Sequence, residues 1–144
     1  MNLTDVTVSR TIPAPAEQIF DMWLNPKSPG GPWFGAARLI FNPQVDGLFY
    51  SLVAFEGKNH PHYGRFVKID RPKQIEHTWV SEGTKGVEST VTVTFEPRGD
   101  DTEVTIHHSG VPDDETGRKH KDGWGWILDM LAQGMAARRA AARK

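Results

Sequence analysis

Six histidines and a dense set of aromatic side chains are the residues of this 144-residue chain whose types could do chemistry. His77 and His108 carry the strongest case. In "IEHTW", Ile75, His77 and Trp79 alternate onto one face, and in "TEVTIHHS", Val104, Ile106 and His108 do the same, as in half-buried strands. Val91, Val93 and Phe95 define the inner face of the strand between them, so both imidazoles are expected to look inward. An imidazole on an apolar face could orient a ligand's polar group or act as acid or base. The commoner outcome is a core histidine satisfied by a hydroxyl or a backbone carbonyl, and that reading is favoured for each.

The other candidates are less specific. "HPH" brings His60 and His62 close together, but a metal site needs a third ligand and fixed geometry. No His-x-x-x-His helix supplies one, so an exposed loop pair is expected, with no metal and no cofactor. By strict alternation Tyr63, Arg65, Val67 and Ile69 share a strand face. If Val67 and Ile69 point inward, the Arg65 guanidinium sits at the rim of the interior. There it could grip a carboxylate or phosphate, or pair with a neighbouring glutamate. The chain has no Gly-x-Ser-x-Gly elbow, no His-Glu-x-x-His and no glycine-rich phosphate loop. Asp21, Glu76, Glu88 and Glu103 fall at turn, helix-surface or outward strand positions. No catalytic residue is assigned.

Five tryptophans, seven phenylalanines and two tyrosines give the firmer signal. Trp33, Phe34, Phe49 or Tyr50 (Tyr50 is preferred), Tyr63, Trp79 and Trp124 fall where the walls of an interior pocket belong. Ligand pockets are mostly apolar and aromatic with a few polar anchors. The competing reading is a core filled by the protein's own side chains.

Positioning these residues requires a scaffold. "VTVSRTI" (6–12) reads as a strand, and "PAPAEQIFDMWL" as a short amphipathic helix with Pro15 in its first turn. "NPKSPGGPWFG" (25–35) reads as a loop with three prolines and three glycines. From residue 36 six strands follow, punctuated by Asp46-Gly47, Glu56-Gly57, Asp70-Arg71-Pro72, Gly83-Thr84 and Arg98-Gly99. Short connections argue for consecutive antiparallel pairing. After Gly110, Trp124, Ile127, Leu128, Leu131 and Met135 form an apolar helical stripe. Asp113, Asp114 and Glu115 precede it and Arg138, Arg139, Arg143 and Lys144 close it, complementing a helix dipole. The expected fold is α+β: a curved antiparallel sheet wrapped around a long C-terminal helix, with short helices between the first two strands, as one domain over 1–144. Gly123 and Gly125 beside Trp124 pose a puzzle, because a helix-interior glycine costs roughly 1 kcal/mol against alanine. They either let the helix approach the sheet closely or mark a helix start or kink.

A net charge of −1 gives no reason to expect nucleic acid or an anionic membrane as partner. The absence of cysteine removes disulfides and thiolate chemistry. With no basic start before an apolar run and no apolar stretch near the roughly 20 residues of a membrane span, a cytoplasmic protein is expected.

The pieces "IPAPAEQIF", "PWFG", "NPQVDGLFY", "HYGRFVKIDRPKQIEHTW", "TEVTIHHSG" and "GWGWILDML", in this order and spacing, resemble the START-like (SRPBCC, helix-grip) superfamily. Within it they resemble homologues of the heat-shock-protein ATPase activator. Where that family usually has a Gly-Gly pair, this chain has Asp46-Gly47. The resemblance covers nearly the whole chain and implies a cavity between sheet and terminal helix, without implying one chemistry.

Three functions follow as expectations. The leading one is a module binding an apolar or amphipathic small molecule. Val91, Val93, Ile106, Leu128 and Leu131 join the aromatics as lining, and His77, His108, Tyr63 or Arg65 set orientation. The second, implied by the resemblance, is docking to a chaperone ATPase. Activator relatives carry an additional N-terminal domain that this chain lacks, so stimulation of the ATPase is not expected. The third is a cyclase, hydratase or hydrolase using a pocket histidine.

Overall fold

The computed structural model describes residues 1–143. Strand β1 (Leu3–Ile12) is followed by helix α1 (Ala16–Trp23). A meander follows: β2 (Arg38–Phe41), β3 (Leu48–Phe55), β4 (Lys58–Asp70), β5 (Gln74–Ser81), β6 (Ser89–Arg98) and β7 (Asp101–Pro112). Helices α2 (Glu115–Arg118) and α3 (His120–Ala142) close the chain. All seven strands form one curved antiparallel sheet in the order β1-β7-β6-β5-β4-β3-β2. This is the expected α+β helix-grip fold, with one short helix between β1 and β2 where more than one was anticipated.

The turns form where small or short polar residues permit them. Glu56 (φ 52°) and Gly57 (φ 75°) make the β3–β4 hairpin, the two-residue geometry that needs positive φ at both central positions. A Cβ on Gly47 would lie 2.1 Å from the Asn42 carbonyl oxygen, so only glycine fits after Asp46.

One buried cluster joins the layers. From α1 come Ile19, Phe20 and Trp23, from the sheet Val91, Val93, Phe95, Val104 and Ile106, and from α3 Trp124, Leu128, Leu131 and Met135. Phe95 receives the edges of Phe20 and Trp23 at 5.3 and 5.9 Å between ring centroids. Alternation decides which strand residues enter: β6 reads buried at Ser89, Val91, Val93 and Phe95, and β7 at Thr102, Val104, Ile106 and His108. Val91, Val93, Ile106, Leu128 and Leu131 thus sit in packed core where an open lining was expected. Concavities on the described residues open at the surface. One, of about 400 Å³, is lined by Pro61, Tyr63, Val80, Ser81, Glu82, Lys85 and Gly86. Another, of about 220 Å³, lies between the β1–α1 junction and the end of α3.

Gly123 and Gly125 do not serve close approach. An added Cβ at either would meet nothing within 4 Å, and neither has a positive φ. They lie in the first two turns of a helix that already begins at His120.

Candidate functional site

The chemistry-bearing residues gather where Trp124 at the start of α3 meets His108 of β7 and Trp79 of β5, with Ser89 of β6 behind them. Here β7 presents His108, which is fully buried. The Trp124 indole N–H donates to His108 Nδ1 at 3.1 Å. Nδ1 is therefore the unprotonated nitrogen, and Nε2–H donates to Ser89 Oγ at 2.7 Å. The Ser89 hydroxyl in turn donates to the Trp79 carbonyl at 2.8 Å. Every polar atom of this chain of bonds has a partner with a defined role. Burial first, then the nearby His120, His77 and His107, push His108 down to about 3. The Ser89–His108 contact looks like a nucleophile–base pair, but in this tautomer the imidazole holds a proton toward the serine and cannot take one from it. His108 is a satisfied core histidine, the reading the sequence favoured.

His77 is the second buried imidazole. Its Nδ1–H donates to the Thr78 carbonyl at 2.8 Å, and burial lowers its pKa to about 4. Aromatic rings surround it: Phe49 at 5.0 Å, Phe66 at 5.7 Å, Trp33 at 5.9 Å and Trp79 at 6.0 Å. Trp33 arrives from the glycine-rich loop and packs on Phe49 and Phe41 at 4.7 and 5.0 Å. Trp79 continues the array to His62 at 4.8 Å and Trp124 at 5.2 Å. Within this cage the indole nitrogens of Trp33 and Trp79 are buried without a hydrogen-bond acceptor. Leaving such a donor unmet costs about 1–3 kcal/mol.

Several expected lining residues lie elsewhere. Phe34 is exposed at the surface. Tyr50 and Tyr63 are cross-strand partners on the outer face of the sheet, rings 5.5 Å apart. Arg65 is also exposed, and its guanidinium pairs with Asp46 at 3.4 Å. The cause is a register shift between Phe66 and Lys68, where β4 carries an extra residue. A bulge of this kind switches the face that later residues occupy. Ile69 points inward, but the residues inward before the bulge are Phe66, Gly64 and His62. Phe49 takes the interior place assigned to Tyr50.

"HPH" is likewise no loop but part of β4. His62 faces Trp79, and its pKa is lowered by burial first and by His60 and His120 nearby. His120 stacks edge-on against His108 at 4.8 Å, its Nδ1–H donates to the Gly117 carbonyl at 2.8 Å, and burial lowers its pKa also. No group of three metal-ligating side chains stands together among the described residues. Sequence reasoning missed Ser89, His62 and His120 as members of this cluster. Ser89 shares the face of Val91 and Val93, His62 the face of Phe66, and His120 lies four residues before Trp124 on one helix face. Periodicity alone could have found Ser89 and His120, whereas the bulge in β4 hid His62.

The arrangement presents neutral imidazoles, aromatic walls and two buried indole N–H donors without an acceptor. No helix among the described residues is long and apolar enough to cross a membrane. No curated protein matches the sequence. Among solved structures, the chain is similar to protein CV1439 from Chromobacterium violaceum, with 20% identity and a TM-score of 0.77, covering 92% of this chain and 96% of that one. DynU16, a protein in the dynemicin biosynthetic locus, is 19% identical with a TM-score of 0.73, over 90% of this chain and 46% of that one. An HSP90 activator from Plasmodium falciparum is 20% identical with a TM-score of 0.65, over 84% of this chain and 87% of that one. At such identities these likenesses show the shared fold. The model of the family described as "Activator of Hsp90 ATPase homolog 1-like protein" matches residues 13–136, and the chain belongs to that family.

Proposed function

We propose that the chain binds a neutral, largely apolar small molecule carrying a hydrogen-bond acceptor, in the aromatic cage between the Trp33 loop and α3. The observation that carries this reading is the pair of buried indole N–H groups on Trp33 and Trp79 without an acceptor. A ligand carbonyl or ether oxygen meeting one of them recovers a hydrogen bond worth about 0.5–1.5 kcal/mol net, on top of the apolar burial. Both buried imidazoles are neutral at pH 7, and His77 and His108 rest in rings rather than beside a cation. That environment disfavours a carboxylate. The surrounding side chains are packed, so a guest enters by parting them. The likeness to a protein from a biosynthetic locus supports a small-molecule role.

Native mass spectrometry of protein purified from cells, joined to tryptophan-fluorescence titration with neutral aromatic ketones and the matched carboxylic acids, tests the proposal. Added mass or saturable quenching by the ketones is expected. Trp33→Phe or Trp79→Phe should weaken that binding about tenfold, as loss of one hydrogen bond does. No adduct and no response to either series would remove the reading. A second reading, docking to a chaperone ATPase, is supported by the family and by the Plasmodium falciparum neighbour. Retention of the purified ATPase on the immobilised chain is its test.

A further inference from the structure

The glycines of α3 remain without a packing reason. Each added Cβ at Gly123 and Gly125 would stand in open space, so alanine would fit and favour the helix. Other features of this segment point the same way. Its N-cap residue, Lys119, makes no side-chain capping bond. Of residues 120–127 only Trp124 is buried, whereas Leu128, Leu131, Ala132 and Met135 hold the following turns. The segment before it is fastened: Lys85 pairs with Asp114 at 2.6 Å, Asp114 accepts from Gly117 N–H at 2.8 Å, and a Cβ on Gly117 would sit 1.8 Å from the Pro112 carbonyl oxygen. A loosely held stretch therefore lies between two anchored ones. Its one buried anchor is Trp124, bonded to His108 at 3.1 Å and packed on Trp79 at 5.2 Å, with half-buried His120 against His108 at 4.8 Å and half-buried Ile127 at the core edge as lighter contacts.

We propose that the first two turns of α3, residues 119–127, are a gate. Gly123 and Gly125 keep its helix weak enough to open while α2 and the later turns of α3 stay docked. Opening lifts Trp124 from His108 and exposes the edge of Trp79. In the closed form the Trp124 N–H satisfies His108 Nδ1, an acceptor that opening leaves free. That a ligand passes here rests on the binding reading above; that the segment opens does not.

Hydrogen exchange on the protein without ligand tests the opening. The comparison uses amides 124–128 against 130–136, both beyond the first four N–H groups that any helix leaves unpaired. The gate predicts exchange at least about tenfold faster in the first set, a locally opening unit. Gly123→Ala/Gly125→Ala should slow that set alone by about 5- to 30-fold, the ratio set by the helix preference of two alanines at about 1.4 kcal/mol per tenfold. Gly134→Ala, whose Cβ also meets nothing within 4 Å, lies outside the gate and should leave the first set unchanged. Equal exchange in both sets, or equal slowing of both by the double substitution, would overturn the proposal. Because no ligand is present, a failure here is separate from a failure of the titrations.

Discussion

His77 and His108 illustrate how a buried imidazole writes pH dependence into a fold. Their folded pKa values, about 4 and about 3, lie below the 6.5 of the unfolded chain. Between those values the unfolded state binds protons that the folded state refuses. Stability is then fully present above about pH 6.5 and drains as pH falls toward 4 and 3. At pH 5 each histidine has forfeited roughly 2 kcal/mol, at 1.36 kcal/mol per pH unit. His62 and His120, lowered by burial, add in the same direction. Urea midpoints measured from pH 7.5 to 5 should fall steeply below 6.5, and His77→Gln should flatten that slope. A midpoint independent of pH across this window would contradict the neutral, buried state of both rings. The inward aim of these two residues was legible, because alternation within β5 and β7 is unbroken. That of Tyr63 and Arg65 was not, because the bulge in β4 depends on pairing with β5 and leaves no mark in the residue types.

The elements depend on a few glycines, and these do different work. Gly64 in β4 stands opposite Phe49, and a Cβ there would lie 2.1 Å from the Thr78 carbonyl oxygen and 2.4 Å from the Phe49 ring. Backbone cannot yield as a side-chain tip can. Gly64→Ala should therefore destabilise by about 3 kcal/mol, the upper end for overpacking, or prevent folding. Equilibrium urea unfolding or soluble yield would show it, and an unchanged midpoint would show that β4 and β5 separate more readily than their hydrogen bonds suggest. Gly123 and Gly125 are the opposite case, glycines with room to spare. Strand and helix types were readable from hydrophobic period and turn chemistry. The start of α3 at His120 and the 3₁₀ turn at Glu82–Thr84 were not. That turn is closed by a Ser81–Thr84 capping box, in which Thr84 Oγ1 accepts from the Ser81 N–H.

Across the whole molecule, β1 is the keystone. The first strand crosses the sheet to pair with the last, from Leu3↔Pro112 to Ile12↔Thr102. It also meets α3, where Arg10 pairs with Asp129. Removing residues 1–11 should strip β7 of its outer partner and α3 of part of its floor. The expected result is loss of a cooperative thermal transition by circular dichroism. A truncated chain that still melted sharply would place the stabilising core in β4–β7 alone.

Residue periodicity and turn chemistry by themselves determined the α+β class, the seven strands, the terminal helix and the inward aim of His77, Trp79 and His108. These follow from backbone geometry that repeats every 2 or 3.6 residues and is written locally. Only the tertiary structure decided that the interior is packed, that Trp124 fixes the tautomer of His108, that Tyr63 and Arg65 face out, and that two indole N–H groups go unmet. Each of these depends on atoms brought together from strands and helices distant in the chain, and filling, tautomer and face are properties of that meeting rather than of any one segment.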